Sequence, residues 1–213
     1  MLLGKLQTLL HELYALDVAY GVDDFLITDA VFARALDTGG REVDEKLLIS
    51  ETDGEAEVAL YLERELLQRL SERDPLTCLT ADNLADFWAV LEGVSHFTYY
   101  AWNAERDKNV TLFELELQAE VDKFVTTGML LREQSGCEPQ ELHRWLFDKP
   151  HLHSELRGAE RERYRRANRY AGKYCRHLAS ALARGSDDEA VQSELRRFYR
   201  LSQRSKLAHI DAH

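Results

Sequence analysis

Four polar residues at helical spacing form the part of this sequence that is most suggestive of chemistry. Glu92, His96, Tyr99 and Asn103 are separated by four, three and four positions. In an α-helix these intervals bring all four side chains to one face. A carboxylate, an imidazole, a phenol and an amide in one row can bind a ligand, and the first two can also move protons or hold a metal ion.

A second pair of carboxylates follows about twenty residues later, where Glu116 and Glu120 are one helical turn apart. Like charges at this spacing are unfavourable unless a cation lies between them, which here could be a divalent metal, Lys123 or an arginine. Glu and His side chains from two helices are typical of metal sites in bundles. The Glu-x-x-His motif of ferritin-like di-iron proteins is missing from both helices. The pattern leaves two alternatives. One is a metal-dependent enzyme with Glu92, His96, Glu116 and Glu120 as ligands, and the other is a histidine hydrogen-bonded to Glu92 beside a solvated acidic face.

A histidine-rich segment offers an alternative metal site. His151 and His153 are two positions apart, and His143 and Glu155 could complete a ligand set. Histidines in such a Pro-containing segment are also common on exposed loops. Nucleophile-elbow, P-loop, dinucleotide-binding and HExxH motifs do not occur in the sequence, so it does not indicate these reaction classes.

Charge is distributed unevenly along the chain. The net charge is −11, yet residues 1–143 carry 11 basic and 29 acidic side chains, whereas residues 144–213 carry 16 and 9. Arg161, Arg165, Arg169 and Arg176 repeat along one face of a long predicted helix. The favoured interpretation is that this helix lies on the acidic helices and neutralises them. The alternative is that it binds nucleic acid or phosphate, which the overall negative charge disfavours without excluding it.

The apolar pattern predicts an α+β fold that is predominantly α-helical. Strands are predicted at Phe25–Thr28, Lys46–Glu51 and Glu55–Leu62, and Asp53-Gly54 is a typical two-residue hairpin turn. These segments predict a small N-terminal antiparallel sheet, a hairpin with a third strand. Apolar residues at three-and-four spacing then predict an antiparallel bundle of about four main helices.

The helix boundaries define the expected organisation. Thr80 is a good N-cap for the first long helix, and Thr111 with Glu114 forms a capping box for the second. A third long helix is predicted at Arg157–Ala183, and a last helix is predicted after Ser186. We expect one domain, 1–213, in which residues 1–72 form an α/β appendage and residues 80–213 form the bundle.

Composition indicates the class of protein. An apolar fraction of 45% supports a packed core, and three dispersed cysteines favour a reducing cytoplasm. No apolar run approaches the length of a membrane span, so we expect no membrane association. The oligomeric state stays open.

The sequence therefore favours a cytoplasmic, helical binding or regulatory protein. We expect a polar cleft between the central helices that recognises a protein partner or a small ligand, with a divalent metal as one candidate. The residues expected to face this cleft are Glu92, His96, Tyr99, Asn103, Arg165 and Arg169. Metal-dependent catalysis and nucleic-acid binding are the two alternatives.

Overall fold

Helices make up most of this protein. The computed structural model describes residues 1–36, 44–52, 55–136, 142–148, 158–183 and 188–212. These ranges hold more helices than the four main ones expected from the sequence, so the predicted bundle is only part of the architecture. The α-helices are α1 Leu2–Tyr14, α2 Ala30–Leu36, α3 Arg64–Glu72, α4 Ala81–Ala104, α5 Leu112–Ser135, α6 Gly158–Ala183, α7 Asp188–Arg200 and α8 Gln203–Asp211.

The sheet has three strands, as expected, but it is mixed rather than antiparallel. The strands are β1 Leu26–Ile27, β2 Glu45–Thr52 and β3 Glu55–Leu62, in the order β1-β3-β2. Strands β2 and β3 form the predicted antiparallel hairpin. Strand β1 pairs in parallel with β3, with Leu26 opposite Leu60. The connection from β1 to β3 contains α2 and all of β2, which is long enough for the crossover that parallel pairing requires. The predicted turn Asp53-Gly54 lies outside the described residues.

Helices α4 and α5 run antiparallel through the centre of the fold. Contacts pair the start of α4 with the end of α5: Trp88 Nε1 donates to Thr127 Oγ1 over 2.9 Å. Both predicted N-caps are present, because Thr80 and Thr111 each form a capping box with the residue three positions later. These caps satisfy amide groups that the first helical turn leaves without partners, and so fix where each helix begins.

The C-terminal region differs from the single last helix that the sequence suggests. Helix α7 ends at Arg200, and the Ser202 hydroxyl accepts a hydrogen bond from the Ser205 amide to start α8. The serine side chain competes for the backbone groups of a continuous helix, which explains the break. The predicted cap at Ser186 lies outside the described residues.

One apolar core joins the sheet to the helices. Leu60 and Leu62 of β3 belong to the same buried cluster as Leu6 of α1 and Phe87 of α4. The sheet is therefore fixed against α4, which brings the start of β2 close to the polar residues of the central helices. None of the helices among the described residues has the length and apolar character needed to cross a membrane.

Candidate functional site

A cluster of ionisable side chains lies where β2, α4, α5 and α6 meet, and we call it the acidic centre. Its members are Glu45, Glu92, His96, Glu116, Glu120, Lys123, Arg163 and Tyr164. Most of them are spaced one helical turn apart on α4 or α5, so the antiparallel pairing of these helices brings them together. All four carboxylate side chains of the centre are 15% exposed or less.

Lys123 joins one half of the acidic centre. Its ammonium group donates to Glu92 Oε2 and, over 2.9 Å, to Glu120 Oε1. Burial alone would lower the pKa of Lys123, but the charges of Glu120 and Glu92 outweigh burial and raise it. Asn168 Nδ2 donates to the other oxygen of Glu120 over 2.8 Å, and the Tyr164 hydroxyl donates to Glu92 Oε1 over 3.4 Å. This half is an ordered ion-pair network with a permanent internal cation.

His96 occupies the other half of the acidic centre, where it lies between the carboxylates of Glu45 and Glu116 at long contact distances. Its Nδ1 atom is 3.5 Å from Glu45 Oε1, and its Nε2 atom is 4.0 Å from Glu116 Oε2. Both distances exceed those of a good hydrogen bond. Within the described part of the chain, neither His96 Nε2 nor Glu45 Oε1 has a hydrogen-bond partner, although both atoms are buried. Unpaired polar atoms inside a protein are costly, so these two atoms are candidates for binding an ion or a small ligand.

Glycine at position 93 lets β2 approach this half. A Cβ atom at Gly93 would lie 2.9 Å from Leu60 Cδ1 and 3.0 Å from Glu45 Cγ. The absence of a side chain on this turn of α4 therefore makes room for Glu45, which the sequence analysis did not select. The one available signal was that Glu45 directly precedes the predicted strand Lys46–Glu51.

Protonation of the acidic centre follows from its excess of negative charge. Among the residues that the structure describes, the four carboxyl groups face two permanent cations, Lys123 and Arg163. The Arg163 Nε atom is 3.6 Å from Glu116 Oε1. Burial raises the pKa of Glu116 to about 8, against the opposing effects of His96 and Arg163. Burial also raises the pKa of Glu45. For His96, burial lowers the pKa, but Glu45, Glu116 and Glu92 together raise it to about 9. At neutral pH the acidic centre therefore retains protons.

The geometry of three residues suits a metal ion. One ligand atom each from Glu45, Glu92 and His96 lie within 4.8 Å of one another. Glu116 is close by on the other side of the imidazole ring. Of the four metal ligands expected from the sequence, Glu92, His96 and Glu116 therefore adjoin this position. Glu120 lies behind Lys123, because the ammonium group occupies the space between Glu120 and Glu92.

The remaining residues of the expected cleft do not join the acidic centre. Asn103 donates to the backbone oxygen of Tyr99 within α4, and Tyr99 packs against the ring of Tyr199. Arg165 and Arg169 are exposed, so the expected contact of these two arginines with the acidic helices is not made. Arg163 and Tyr164, which lie on another flank of α6, contact Glu116 and Glu92 instead.

The alternative metal site is not assembled in the described part of the chain. His143 is buried, and its Nε2 atom is 2.8 Å from the backbone oxygen of Gly172. This ring nitrogen is therefore hydrogen-bonded to the backbone of α6 and is not available to a metal ion. His151 and His153 lie outside the described residues.

A second buried polar network lies on the neighbouring side of α5. Asp122 accepts hydrogen bonds from Tyr14, Ser95 and Gln118, and Lys206 Nζ donates to Gln118 Oε1 over 2.7 Å. Lys206 is completely buried, and its ammonium group lies 4.5 Å from the centre of the Tyr99 ring. The described contacts of Lys206 are with Gln118 and with aromatic rings of the core. The network therefore connects α8 to α5.

Comparison of the chain with protein-family models, curated proteins and solved structures gave no significant match. The geometry of the acidic centre is therefore the basis for a functional proposal.

Proposed function

We propose that this protein binds one divalent transition-metal ion at the acidic centre. Glu45, Glu92 and His96 would be the ligands, with Glu116 available as a fourth. The observation that carries the proposal is the pair of buried, unpartnered atoms, His96 Nε2 and Glu45 Oε1, among carboxylates in negative excess. An acidic cluster alone would not be sufficient, but a buried imidazole nitrogen without a hydrogen-bond partner is an unused metal-ligand atom.

The donor atoms favour some metals over others. Calcium and magnesium prefer an all-oxygen shell, whereas imidazole together with carboxylate suits zinc, iron or manganese. No cysteine belongs to the acidic centre, so a soft thiolate site for copper(I) is not expected there. We therefore expect Zn²⁺, Fe²⁺ or Mn²⁺ to bind more tightly than Ca²⁺ or Mg²⁺.

The position of Lys123 indicates that the acidic centre would bind one metal ion and not two. In carboxylate centres with two metals, the second ion lies between carboxylates of neighbouring helices. Here the Lys123 ammonium takes that position, with hydrogen bonds to both Glu92 and Glu120. It also fixes Glu92 Oε2, so Glu92 would offer its other oxygen, Oε1, to a metal ion; that oxygen accepts a hydrogen bond from the Tyr164 hydroxyl over 3.4 Å and has a second lone pair.

A metal ion at this position would supply Lewis acidity to a small ligand. The surrounding residues have separate roles in the proposal. Arg163 would balance the charge of Glu116, and Tyr164 would offer a phenol proton next to the metal ligands. This narrows the cleft hypothesis, because two of its arginines are exposed and a large partner has no access to a centre buried to this degree.

The first test is metal stoichiometry. Protein prepared without a polyhistidine tag and treated with a chelator is titrated with Zn²⁺ or Mn²⁺, and bound metal is measured by equilibrium dialysis and elemental analysis. We expect one ion per chain. Glu45→Gln and His96→Gln should each weaken binding by at least about tenfold, the usual size of losing one ligand or its support.

A matched control uses a carboxylate–histidine pair elsewhere in the described residues. His209 Nε2 lies 2.6 Å from Glu194 Oε1, remote in sequence from the acidic centre. Glu194→Gln should leave metal affinity unchanged. The proposal fails if wild-type protein binds no stoichiometric metal, or if Glu194→Gln weakens binding as much as Glu45→Gln.

Proton release provides a second, independent readout. His96 and Glu116 have raised pKa values of about 9 and about 8, so both hold protons at pH 7. A metal ion must displace the His96 proton to reach the ring nitrogen. Calorimetric titration in two buffers with different ionisation enthalpies should show release of one to two protons per ion. Metal uptake without proton release would place the ion elsewhere.

A further inference from the structure

Helix α6 carries a row of cations that the fold leaves in solvent, and we call it the basic row. Its members are Arg161, Arg165, Arg166, Arg169, Lys173 and Arg176, all of which are exposed. Successive members are three or four positions apart along most of the row, so they follow one face of the helix. With a rise of 1.5 Å per residue, the row extends over roughly 22 Å.

Most of the side chains in the basic row form no ion pair with the described residues of the protein. Among the described residues, Arg161, Arg165 and Arg176 form no ion pair, and Lys173 pairs with Asp211 over 3.0 Å. Arg163 is the arginine of α6 that contacts the acidic centre, and it lies on a different flank. The expectation that the row neutralises the acidic helices is therefore not met, so the row has charge available for a partner.

Two of the arginines are held in place by aromatic rings. The Arg166 guanidinium lies 5.0 Å from the centre of the Phe113 ring, and that of Arg169 lies 5.4 Å from the Tyr170 ring. Stacked guanidinium groups lose less side-chain entropy when they bind a ligand. Both arginines are also exposed to solvent. Five of the six cations are arginine, the side chain whose planar fork matches a phosphate group.

We infer that the basic row binds the sugar–phosphate backbone of nucleic acid without reading its sequence. The opposite face of α6 is buried through Ala167, Ala171 and Cys175. A nucleic acid can therefore contact only the exposed face of the helix, which carries the basic row and one acidic residue, Glu162. Contacts limited to phosphates position a protein without specifying bases. The net charge of −11 does not prevent this, because salt screens charges beyond about 8 Å at physiological ionic strength.

A direct test is fluorescence anisotropy with mixed-sequence oligonucleotides of about 20 nucleotides, single-stranded and duplex, over a range of salt concentrations. We expect binding at low salt and little dependence on sequence. Neutralisation of three to five phosphates predicts a slope of log K against log salt of about −2 to −3.5 for the single strand and about −3 to −4.5 for the duplex. Arg165→Glu with Arg169→Glu should weaken binding by at least about tenfold and make the slope shallower.

A charge-matched control separates the row from net charge. Arg64 and Arg73 of the α3 region are exposed, and Arg64→Glu with Arg73→Glu changes the net charge by the same amount. This control should reduce affinity much less than the change in the row. Circular dichroism and thermal melting confirm that both double variants are folded.

Three outcomes would overturn the inference. Absence of nucleic-acid binding at low salt is the first, and equal losses in the two double variants is the second. The third is binding of the basic row to vesicles of anionic phospholipid with no binding to oligonucleotide, which would make the row a membrane-surface contact. None of these results depends on the metal proposal, since the row and the acidic centre use different side chains.

Discussion

Gly93 and Glu45 are in close contact across the junction of α4 and β2, with a Cβ position at Gly93 only 3.0 Å from Glu45 Cγ. Glu45 is remote from α4 in sequence, yet it lies beside His96 because this glycine leaves a gap in the helix surface. A glycine inside a helix costs up to about 1 kcal/mol relative to alanine. Glycine at position 93 therefore lowers the intrinsic stability of α4, but it leaves room for the Glu45 side chain.

Substitution Gly93→Ala tests this contact. The new methyl group would lie 2.9 Å from the buried Leu60 Cδ1, so Leu60 or Glu45 must move. We expect a loss of about 1–3 kcal/mol in the free energy of unfolding, as for other overpacked sites, and weaker metal binding because Glu45 is displaced. Urea denaturation and metal titration measure the two effects.

Gly128→Ala is the matched control, since it is the same change in the other central helix. Its nearest contact would be Leu142 Cδ2 at 3.6 Å, an ordinary van der Waals distance. We expect this variant to be as stable as the wild type, or up to about 1 kcal/mol more stable. If the two variants behaved alike, the close contact at Gly93 would have no energetic consequence.

His96 and Glu116 should each lower the stability of the metal-free protein as pH rises through the neutral range. The pKa of His96 is raised from 6.5 to about 9, so its stabilising contribution is complete below pH 6.5 and disappears as pH rises through 9. The pKa of Glu116 is raised from 4.5 to about 8, so the native state holds an extra proton in that range and loses stability as pH increases. Both groups therefore act in the same direction.

His96→Gln separates this effect from other titrations. The free energy of unfolding is measured by urea denaturation between about pH 6 and 9.5, and the variant should show a shallower fall than the wild type, by up to a few kcal/mol over the range. Wild-type stability that is constant or rises over this range relative to the variant would contradict the assigned protonation. Saturating Zn²⁺ should reverse the trend, since metal binding competes with protons.

The sequence was sufficient to predict some parts of the acidic centre and not others, for physical reasons. Helix periodicity and capping are local, so the common face of Glu92 and His96, and the caps at Thr80 and Thr111, could be derived. The approach of Glu45 depends on how a sheet packs on α4. No local pattern contains that information.

The rotation of α6 is the other feature that could not be derived. Its buried residues define an inner face, but Arg163 and Arg165 flank that face on opposite sides, about 100° from Tyr164 in each direction. Which flank turns towards α5 depends on the packing of three helices together. Arg163 is the arginine that contacts Glu116. Arg165 and Arg169, which were expected to face the cleft, are exposed instead.

Lys123→Met should strongly destabilise the protein. The ammonium group pairs with Glu92 and Glu120, and its removal leaves two buried carboxylates facing each other. Loss of one partner of a buried ion pair typically costs about 3–5 kcal/mol. The exposed pair of Lys173 and Asp211 provides the control, since Lys173→Met should change stability by less than about 1 kcal/mol.

The same variant tests the single-metal proposal. If the Lys123 ammonium takes the place of a second cation, Lys123→Met should bind up to two Mn²⁺ or Zn²⁺ ions and recover stability as they bind. One ion per chain, with no recovery of stability in excess metal, would show that the space beside Glu120 does not accept a metal.

Lys206→Met should remove a pH dependence of the opposite sign, located in α8. Burial lowers the pKa of Lys206 from 10.5 to about 7, against the opposing charges of Asp122 and Glu114. Between pH 7 and 10.5 the unfolded chain therefore holds a proton that the native protein has lost, so this residue makes stability rise with pH. Relative to Lys206→Met, the wild type should gain up to a few kcal/mol in unfolding free energy from about pH 7 to pH 10. Urea denaturation of both proteins at several pH values measures the difference, and Lys173→Met again serves as an exposed-lysine control. A difference that stayed constant with pH would mean that Lys206 keeps its proton in the native protein, and that its aromatic surroundings and Gln118 compensate for burial.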